Sequence, residues 1–189
     1  MNDSMDVIKQ SLQNSPVLWK GDYPYFIHPL TDGVPRIEPK VLKSVIDVVY
    51  EMVNWKDIDI ILGIEAMGLP ICSPLAVKAE KRLVVCRKRS YGMDSEVKIS
   101  QETGYSKGEF FLNDISPNER VLIVDDVLST GGTIRAVFDG VIRAGATTSH
   151  MITLVEKGEG MENLQNDYPD IKIESIIKLE MDGEKIILL

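Results

Sequence analysis

The chain has 189 residues, of which 44% are hydrophobic and 26% charged, and its formal net charge is −8. This length predicts one domain, and the acidic balance argues against a nucleic-acid binder, which normally presents a basic face. The chain shows neither an apolar run near the roughly 20 residues of a membrane span nor the basic, apolar start of a signal peptide, so a cytoplasmic location is expected.

Helical and extended patterns alternate along the first half, which is typical of an α/β protein with a mainly parallel sheet. Pro39 suits a first helical position, and apolar residues follow at helical spacing as far as Val53. A strand over 58–62, a helix over 69–79 and a strand over 83–86 are predicted next. Two isolated cysteines, Cys72 and Cys86, are expected to be buried reduced thiols.

The second half repeats this alternation after a polar, glycine-containing stretch. Residues 88–108 are predicted to be a mobile excursion before a strand that starts near Glu109. The pattern then predicts a strand over 121–124, a helix over 133–144 ended by Gly145, and a strand over 150–155. Extended segments at 171–179 and 185–189 flank Asp182-Gly183, a strong hairpin signal. We interpret His28 and His150 as structural histidines.

The most informative segment, residues 121–133, reads Val-Leu-Ile-Val-Asp-Asp-Val-Leu-Ser-Thr-Gly-Gly-Thr. Its four apolar residues predict a strand buried on both faces, so Asp125 and Asp126 fall at the carboxyl edge, where α/β sheets bind ligands. These short carboxylates are suited to accepting hydrogen bonds from the vicinal hydroxyls of a ligand. Gly131 and Gly132 allow backbone N–H groups to converge on an anion at the start of the next helix. The segment therefore predicts a site for a sugar phosphate, and nucleotide motifs of the Gly-Lys-Ser/Thr or G-x-G-x-x-G type are absent from the sequence.

The same segment resembles the motif with which type I phosphoribosyltransferases bind the ribose and 5-phosphate of phosphoribosyl pyrophosphate. The resemblance implies one domain over 1–189: an α/β fold whose mainly parallel central sheet is flanked by helices, with a small hood and a flexible catalytic loop. Residues 1–38 would form the hood, with the C-terminal hairpin as a further candidate. The implied ribose-phosphate contacts are Asp125, Asp126, Ser129, Thr130, Gly131, Gly132 and Thr133.

A second loop, residues 63–68, resembles the pyrophosphate loop of that family, although Met67 stands where the family has arginine. The cations of residues 87–89 would compensate, and Ser90-Tyr91 is similar to the start of the closing loop, here 90–108. The alternative for the 63–68 loop is a tight turn whose glycines are purely structural. The alternatives for the cations of residues 87–89 are exposure to solvent or a place at the rim of a dimer interface. The implied pyrophosphate contacts are Glu65, Ala66, Met67, Gly68, Arg87, Lys88, Ser90 and Tyr91.

The resemblance implies attack of a purine nitrogen on C1 of phosphoribosyl pyrophosphate, with loss of pyrophosphate. Mg²⁺ is the expected cofactor, held mainly by the substrate, with Asp125 as a candidate contact. Hypoxanthine-guanine enzymes place an acid where this chain has Ser129, whereas adenine enzymes use a loop glutamate. Glu102 is therefore the candidate for accepting the purine proton.

Lys157 occupies nearly the place of the lysine that binds a 6-oxopurine, and with Val127 it forms the predicted base contacts. Leu154-Val155-Glu156 is instead shared with adenine enzymes. The whole chain is most similar to archaeal hypoxanthine phosphoribosyltransferases, which implies hypoxanthine as substrate, guanine as a second base, and a homodimer. An adenine enzyme and a nucleotide-sensing regulator of the same fold are the alternatives.

Overall fold

Helices and strands alternate along most of the chain. The structure, a computed structural model, describes residues 2–103 and 106–189, apart from the side chains of residues 2, 101–103 and 106–107. In chain order the elements are α1 (Asn2–Gln13), β1 (Val17–Lys20), β2 (Tyr23–Phe26), α2 (Pro29–Asp32), α3 (Pro39–Met52), β3 (Ile60–Ile64), α4 (Leu69–Ala79), β4 (Arg82–Cys86), β5 (Val97–Thr103), β6 (Ser106–Leu112), β7 (Arg120–Leu128), α5 (Gly132–Arg143), β8 (Thr147–Glu156), α6 (Gly160–Asp167), β9 (Lys172–Asp182) and β10 (Lys185–Leu188).

A six-stranded sheet in the order β10-β9-β8-β7-β3-β4 forms the centre of the molecule. Neighbouring strands are parallel except at the β9–β10 edge, which is an antiparallel hairpin. This arrangement confirms the predicted α/β class with a mainly parallel sheet. The C-terminal hairpin belongs to this sheet, and it meets the N-terminal segment where Trp19 Nε1 donates to Glu184 Oε1 at 2.9 Å.

Apolar side chains cover both faces of the sheet, as the continuous apolar strands predict. On one face, alternate residues such as Ile61 and Leu122 pack with α1, α3 and α4. On the other face, Leu62 and Ile123 pack with α5 and with the β5–β6 hairpin. No helix within residues 2–103 and 106–189 combines the length and apolar character that crossing a membrane requires.

Several sequence predictions need correction. The stretch 88–108, predicted to be a mobile excursion before a strand near Glu109, instead contains β5 and the start of β6, which pair as an antiparallel hairpin. The buried Ile99, Phe110 and Leu112 pack this hairpin against α5, and the intervening polar residues obscure their alternation in the sequence. The strand predicted to end at 124 continues to Leu128, because β8 pairs with it as far as that residue. The strand predicted at 58–62 instead spans Ile60–Ile64.

The N-terminal segment, assigned to a hood, contains elements that the sequence did not predict. α1 packs on α3, and the β1–β2 hairpin leads into the short α2. His28 precedes α2, and its Nδ1 accepts the N–H of Leu30 at 3.2 Å, while its Nε2 lies 2.9 Å from Ser11 Oγ. Burial lowers the pKa of His28 to about 4, although Asp32 nearby opposes the shift. This geometry supports the interpretation of His28 as a structural histidine.

The lowered pKa of His28 predicts a loss of stability in mild acid. In the unfolded chain the imidazole protonates near its ordinary pKa of 6.5, whereas in the folded chain it stays neutral down to about pH 4. The unfolded state therefore binds the extra proton between these values, and the free energy of unfolding falls by about 3 kcal/mol as the pH decreases through them. Urea unfolding of wild type and His28→Asn at several pH values measures this difference. Parallel stability curves for the two proteins would contradict the assignment.

Candidate active site

The carboxyl ends of four parallel strands converge at one edge of the sheet. β3, β4, β7 and β8 each end there, and β3 and β7 are adjacent although β4 separates them in sequence. Such a switch in strand order leaves a crevice in which α/β proteins bind ligands. A cavity of about 640 Å³ opens at this point, and a smaller one of about 140 Å³ adjoins it. Asp125, Val127 and Thr133 line both cavities.

The two acids contact the cavities differently: Asp125 lines both of them, and Asp126 lines the larger one. Asp125 is 7% exposed. Burial, followed by the negative charge of Asp126, raises the pKa of Asp125 well above its usual range. Burial also raises the pKa of Asp126 to about 6, although a hydrogen bond from Asp125 opposes the shift. The pair therefore holds a proton more tightly than ordinary carboxyls do, and cationic or hydroxylic groups of a ligand would favour its ionised form.

The loop after β3 reaches Asp125 because Gly68 has no side chain. A Cβ atom at Gly68 would lie 3.0 Å from Asp125 Oδ1 and 2.9 Å from the backbone N and O of Ile64. The loop thus passes directly over the buried carboxyl. Glu65, Ala66 and Met67 line the larger cavity on this side. Gly63, where the Cβ would lie 2.8 Å from Cys72 Sγ, packs closely on α4 instead.

The turn after β7 forms the smaller cavity. All residues from Val127 to Ile134 line it together with Asp125. Gly131 has a φ of 79°, a left-handed conformation that glycine adopts without strain, and it immediately precedes α5. The first N–H groups of α5 have no acceptor within the helix, so they suit an anion bound at this turn.

The three consecutive cations after β4 have different surroundings. Arg87 Nε lies 3.3 Å from Glu65 Oε2, and its Nη2 donates to Tyr91 Oη at 3.2 Å. Lys88 lines the larger cavity, and its charge acts on Asp125, where it opposes the raised pKa. Arg89 is exposed, and its guanidinium lies 5.6 Å from the Tyr91 ring. Of these three cations, Lys88 is therefore the one that lines the cavity beside the 63–68 loop.

Replacing Lys88 with alanine is expected to weaken pyrophosphate binding about tenfold or more. A charged hydrogen bond is worth about 1.5 to 3 kcal/mol, and Arg87 is already paired with Glu65. Arg89→Ala, which removes a neighbouring charge outside the cavity lining, serves as the matched control. Calorimetric titration of each variant with magnesium pyrophosphate measures the effect. Equal losses of affinity in the two variants would show that binding depends on the net positive charge of this region and not on a specific contact with Lys88.

Ser90 and Tyr91 were predicted to contact pyrophosphate. They follow Lys88 in the chain but are not among the residues that line the larger cavity. Ser90 Oγ donates to Glu96 Oε1 at 2.5 Å, and the N–H of Tyr91 donates to Glu96 Oε2 at 2.9 Å. Tyr91 is 57% exposed. Glu102 belongs to β5, but its side chain lies outside the described part of the structure, and its role as proton acceptor stays a prediction.

Lys157 connects the sheet edge with aromatic residues of the N-terminal segment. Its N–H donates to Leu128 O at 2.9 Å, and its Nζ lies 4.4 Å from the centre of the Tyr23 ring and 5.9 Å from that of Phe26. Nearby, Tyr25 Oη donates to Asp32 Oδ1 at 3.0 Å, and burial and this carboxylate raise the pKa of Tyr25 to about 12. These aromatic residues were missed from the sequence, although Tyr-Pro-Tyr-Phe at 23–26 is a visible aromatic cluster.

The acidic side chains of the larger cavity offer the oxygen ligands that Mg²⁺ prefers. Asp125 and Asp126 line it on one side, and Glu65 and Glu109 also contribute. Within the described residues, no group of three or more histidine, cysteine, aspartate or glutamate side chains is arranged to hold a metal ion. This donor set suits a magnesium ion that receives most of its ligands from a bound phosphate compound and water.

Comparison with known proteins agrees with this geometry. The sequence profile of the phosphoribosyl transferase domain matches residues 36–184. The chain belongs to the phosphoribosyltransferase family, and its fold is the type I fold of that family.

Individual relatives cover almost the whole chain. A hypoxanthine/guanine phosphoribosyltransferase of Aciduliprofundum boonei is 44% identical over 185 residues, which cover 98% of this chain and 100% of that protein. The protein of the same name from Ferroglobus placidus is 44% identical over 180 residues, covering 94% and 95%. Among solved structures, adenine phosphoribosyltransferase of Thermoanaerobacter pseudethanolicus has a TM-score of 0.75 at 26% identity, covering 92% of this chain and 99% of that chain.

Proposed function

We propose that the protein acts in purine salvage as a hypoxanthine phosphoribosyltransferase that also accepts guanine. It transfers the 5-phosphoribosyl group of phosphoribosyl pyrophosphate to the base, which yields IMP or GMP and pyrophosphate. The observation that carries this proposal is the convergence, at one sheet edge, of the acid pair, the glycine turn before α5, and Lys157. Relatives that are named hypoxanthine/guanine phosphoribosyltransferases, and that match nearly the full length, support it.

The phosphoribosyl substrate fits the two adjoining cavities. The 5-phosphate would occupy the small cavity, where residues 129–133 present backbone N–H groups and hydroxyls. The ribose hydroxyls would donate to Asp125 and Asp126. The pyrophosphate would then lie in the larger cavity between the 63–68 loop and Lys88. These positions place C1 of the ribose between the leaving group and the base.

The base would lie on the side of Lys157. A 6-oxopurine presents an acceptor at position 6, which the Lys157 ammonium complements, whereas adenine presents an amino group there. In the reaction a ring nitrogen of the base bonds to C1, the C1–O bond to pyrophosphate breaks, and the nitrogen loses its proton. We keep Glu102 as the proposed proton acceptor.

Adenine is the second candidate base, and two observations favour it. The solved structures most similar in fold include adenine phosphoribosyltransferases, and Ser129 stands where the hypoxanthine-guanine pattern has an acid. Similarity of fold does not distinguish the two bases. The Lys157 ammonium does, because it can donate to a 6-oxo group and not to the amino group of adenine. We therefore rank hypoxanthine first. A homodimer in the cytoplasm remains our prediction from the sequence.

Turnover is expected to require a divalent cation, with Mg²⁺ sufficient. Pyrophosphate is a strongly charged leaving group, and Mg²⁺ bound to it would neutralise that charge. Asp125 and Asp126 are the protein groups that would contact the hydrated ion or the ribose hydroxyls beside it. Initial rates in EDTA and after addition of MgCl₂ measure the requirement. Undiminished turnover in EDTA would contradict it.

Product analysis tests the proposed activity. Purified protein with hypoxanthine, phosphoribosyl pyrophosphate and MgCl₂ is expected to form IMP and pyrophosphate in equal amounts. Chromatography of the nucleotide and an enzymatic pyrophosphate assay measure the two products separately. Pyrophosphate release without IMP, or no release at all, would contradict the proposal.

A further inference from the structure

The N-terminus of α6 is packed directly on the turn that forms the small cavity. The N–H of Gly160 donates to Ser129 O at 2.9 Å, and three residues earlier the N–H of Lys157 donates to Leu128 O at 2.9 Å. Two backbone hydrogen bonds therefore fix residues 157–160 along the end of β7 and the beginning of the turn.

The packing at Gly160 leaves no space for a side chain. A Cβ atom there would lie 2.1 Å from Ser129 O, 2.7 Å from the carbonyl carbon of Thr130 and 2.8 Å from the N of Gly131. All three are backbone atoms of the turn, so no side-chain rotation relieves the contact. The φ of Gly160 lies outside the left-handed region, so the need for glycine at this position is a matter of space.

Further contacts hold α6 against the turn and the start of α5. A Cβ atom at Gly131 would lie 3.0 Å from Leu164 Cδ1, so the Leu164 side chain packs behind the turn. Arg135 and Asp167 form an ion pair at 2.5 Å between α5 and α6. The Phe138 and Tyr168 rings meet edge to face with their centres 4.9 Å apart. The turn therefore has the small cavity on one side and α6 packed against it on the other.

We propose that Gly160 is a positioning residue for the phosphate-binding turn. Its backbone contact with residues 129–131 sets where their N–H groups converge, and it does so without touching the substrate. This inference rests on the proposed function, because it takes the small cavity as the site of the ribose 5-phosphate group. Substitution of Gly160 should consequently impair the phosphate subsite while leaving the pyrophosphate subsite on the other side of Asp125 intact.

Calorimetric titrations with two probes test this separation. Ribose 5-phosphate reports on the phosphate turn, and magnesium pyrophosphate reports on the 63–68 loop and Lys88. Gly160→Ala is expected to weaken ribose 5-phosphate binding at least tenfold and to change pyrophosphate binding less than twofold. Asn163→Ala, on the exposed side of α6, should change neither affinity. Lys88→Ala should show the opposite split, which identifies the subsite that each probe occupies.

The outcomes separate this inference from the function on which it rests. Unchanged ribose 5-phosphate affinity in folded Gly160→Ala, or equal losses for both probes, would overturn the role of Gly160 alone. Failure of the wild type to bind ribose 5-phosphate would overturn the proposed function and this inference with it. Should Gly160→Ala not fold, Leu164→Val, which removes one methylene behind the turn, must still lower ribose 5-phosphate affinity selectively. Equal affinities for both probes in that variant and the wild type would overturn the proposal.

Discussion

Replacing Asp125 and Asp126 together with asparagine is expected to lower kcat/KM for phosphoribosyl pyrophosphate by roughly 10²- to 10⁴-fold. Each carboxylate would lose a charged hydrogen bond to a ribose hydroxyl, and such a bond is worth about 1.5 to 3 kcal/mol. The double substitution should not destabilise the fold. Burial already disfavours the ionised form of both groups, so the double variant should unfold at the same temperature or a higher one.

Initial rates and thermal unfolding of the same samples measure these two effects. Asp170→Asn, which changes an exposed carboxylate outside the cavity linings, is the matched control. It should leave both the rate and the unfolding temperature unchanged. Near wild-type kcat/KM in the double variant would show that the acid pair does not bind the ribose, whereas a large drop in unfolding temperature would assign it a structural role.

Replacing Lys157 with methionine is expected to lower kcat/KM for hypoxanthine about tenfold to a hundredfold or more, and to leave the rate with adenine unchanged or increased. The ammonium would no longer donate to the 6-oxo group, and that charged donor is worth about 1.5 to 3 kcal/mol. Methionine keeps an unbranched side chain against the Tyr23 and Phe26 rings, so the aromatic packing is largely preserved.

The ratio of the two rates is the informative quantity for Lys157. A general disturbance of the site would lower the rates with both bases in proportion, whereas loss of a specific donor changes their ratio. Lys185→Met, an exposed lysine on β10, controls for the loss of a positive charge. An unchanged ratio in Lys157→Met would contradict the assignment of this lysine to the base.

The central part of the fold could be predicted from local patterns. Pro39 and the helical spacing of the apolar residues after it predicted α3, which the structure confirms. The helix predicted over 69–79 is confirmed as α4 with the same bounds. The acid pair and the glycine turn were visible because they are consecutive in sequence. In each case the residues that determine the element are neighbours along the chain, so short-range spacing is sufficient.

Other features depend on contacts between distant segments. The parallel pairing of β3 with β4 brings Glu65 beside Arg87, and of residues 87–89 Lys88 is the one that lines the larger cavity. Tyr23 meets Lys157 because the N-terminal hairpin folds across the carboxyl edge of the sheet. The need for glycine at position 160 likewise arises from the backbone of residues 129–131. These contacts join segments that are distant in sequence, so the sequence identified Lys88 and Lys157 as candidates but neither Tyr23 nor Gly160.

Initial rates with separate nucleobases and saturating phosphoribosyl pyrophosphate test the central claim most directly. We predict that hypoxanthine has the highest kcat/KM, that guanine is also a substrate, and that adenine is at least tenfold poorer than hypoxanthine. A kcat/KM for adenine tenfold above that for hypoxanthine would contradict the assignment of the base.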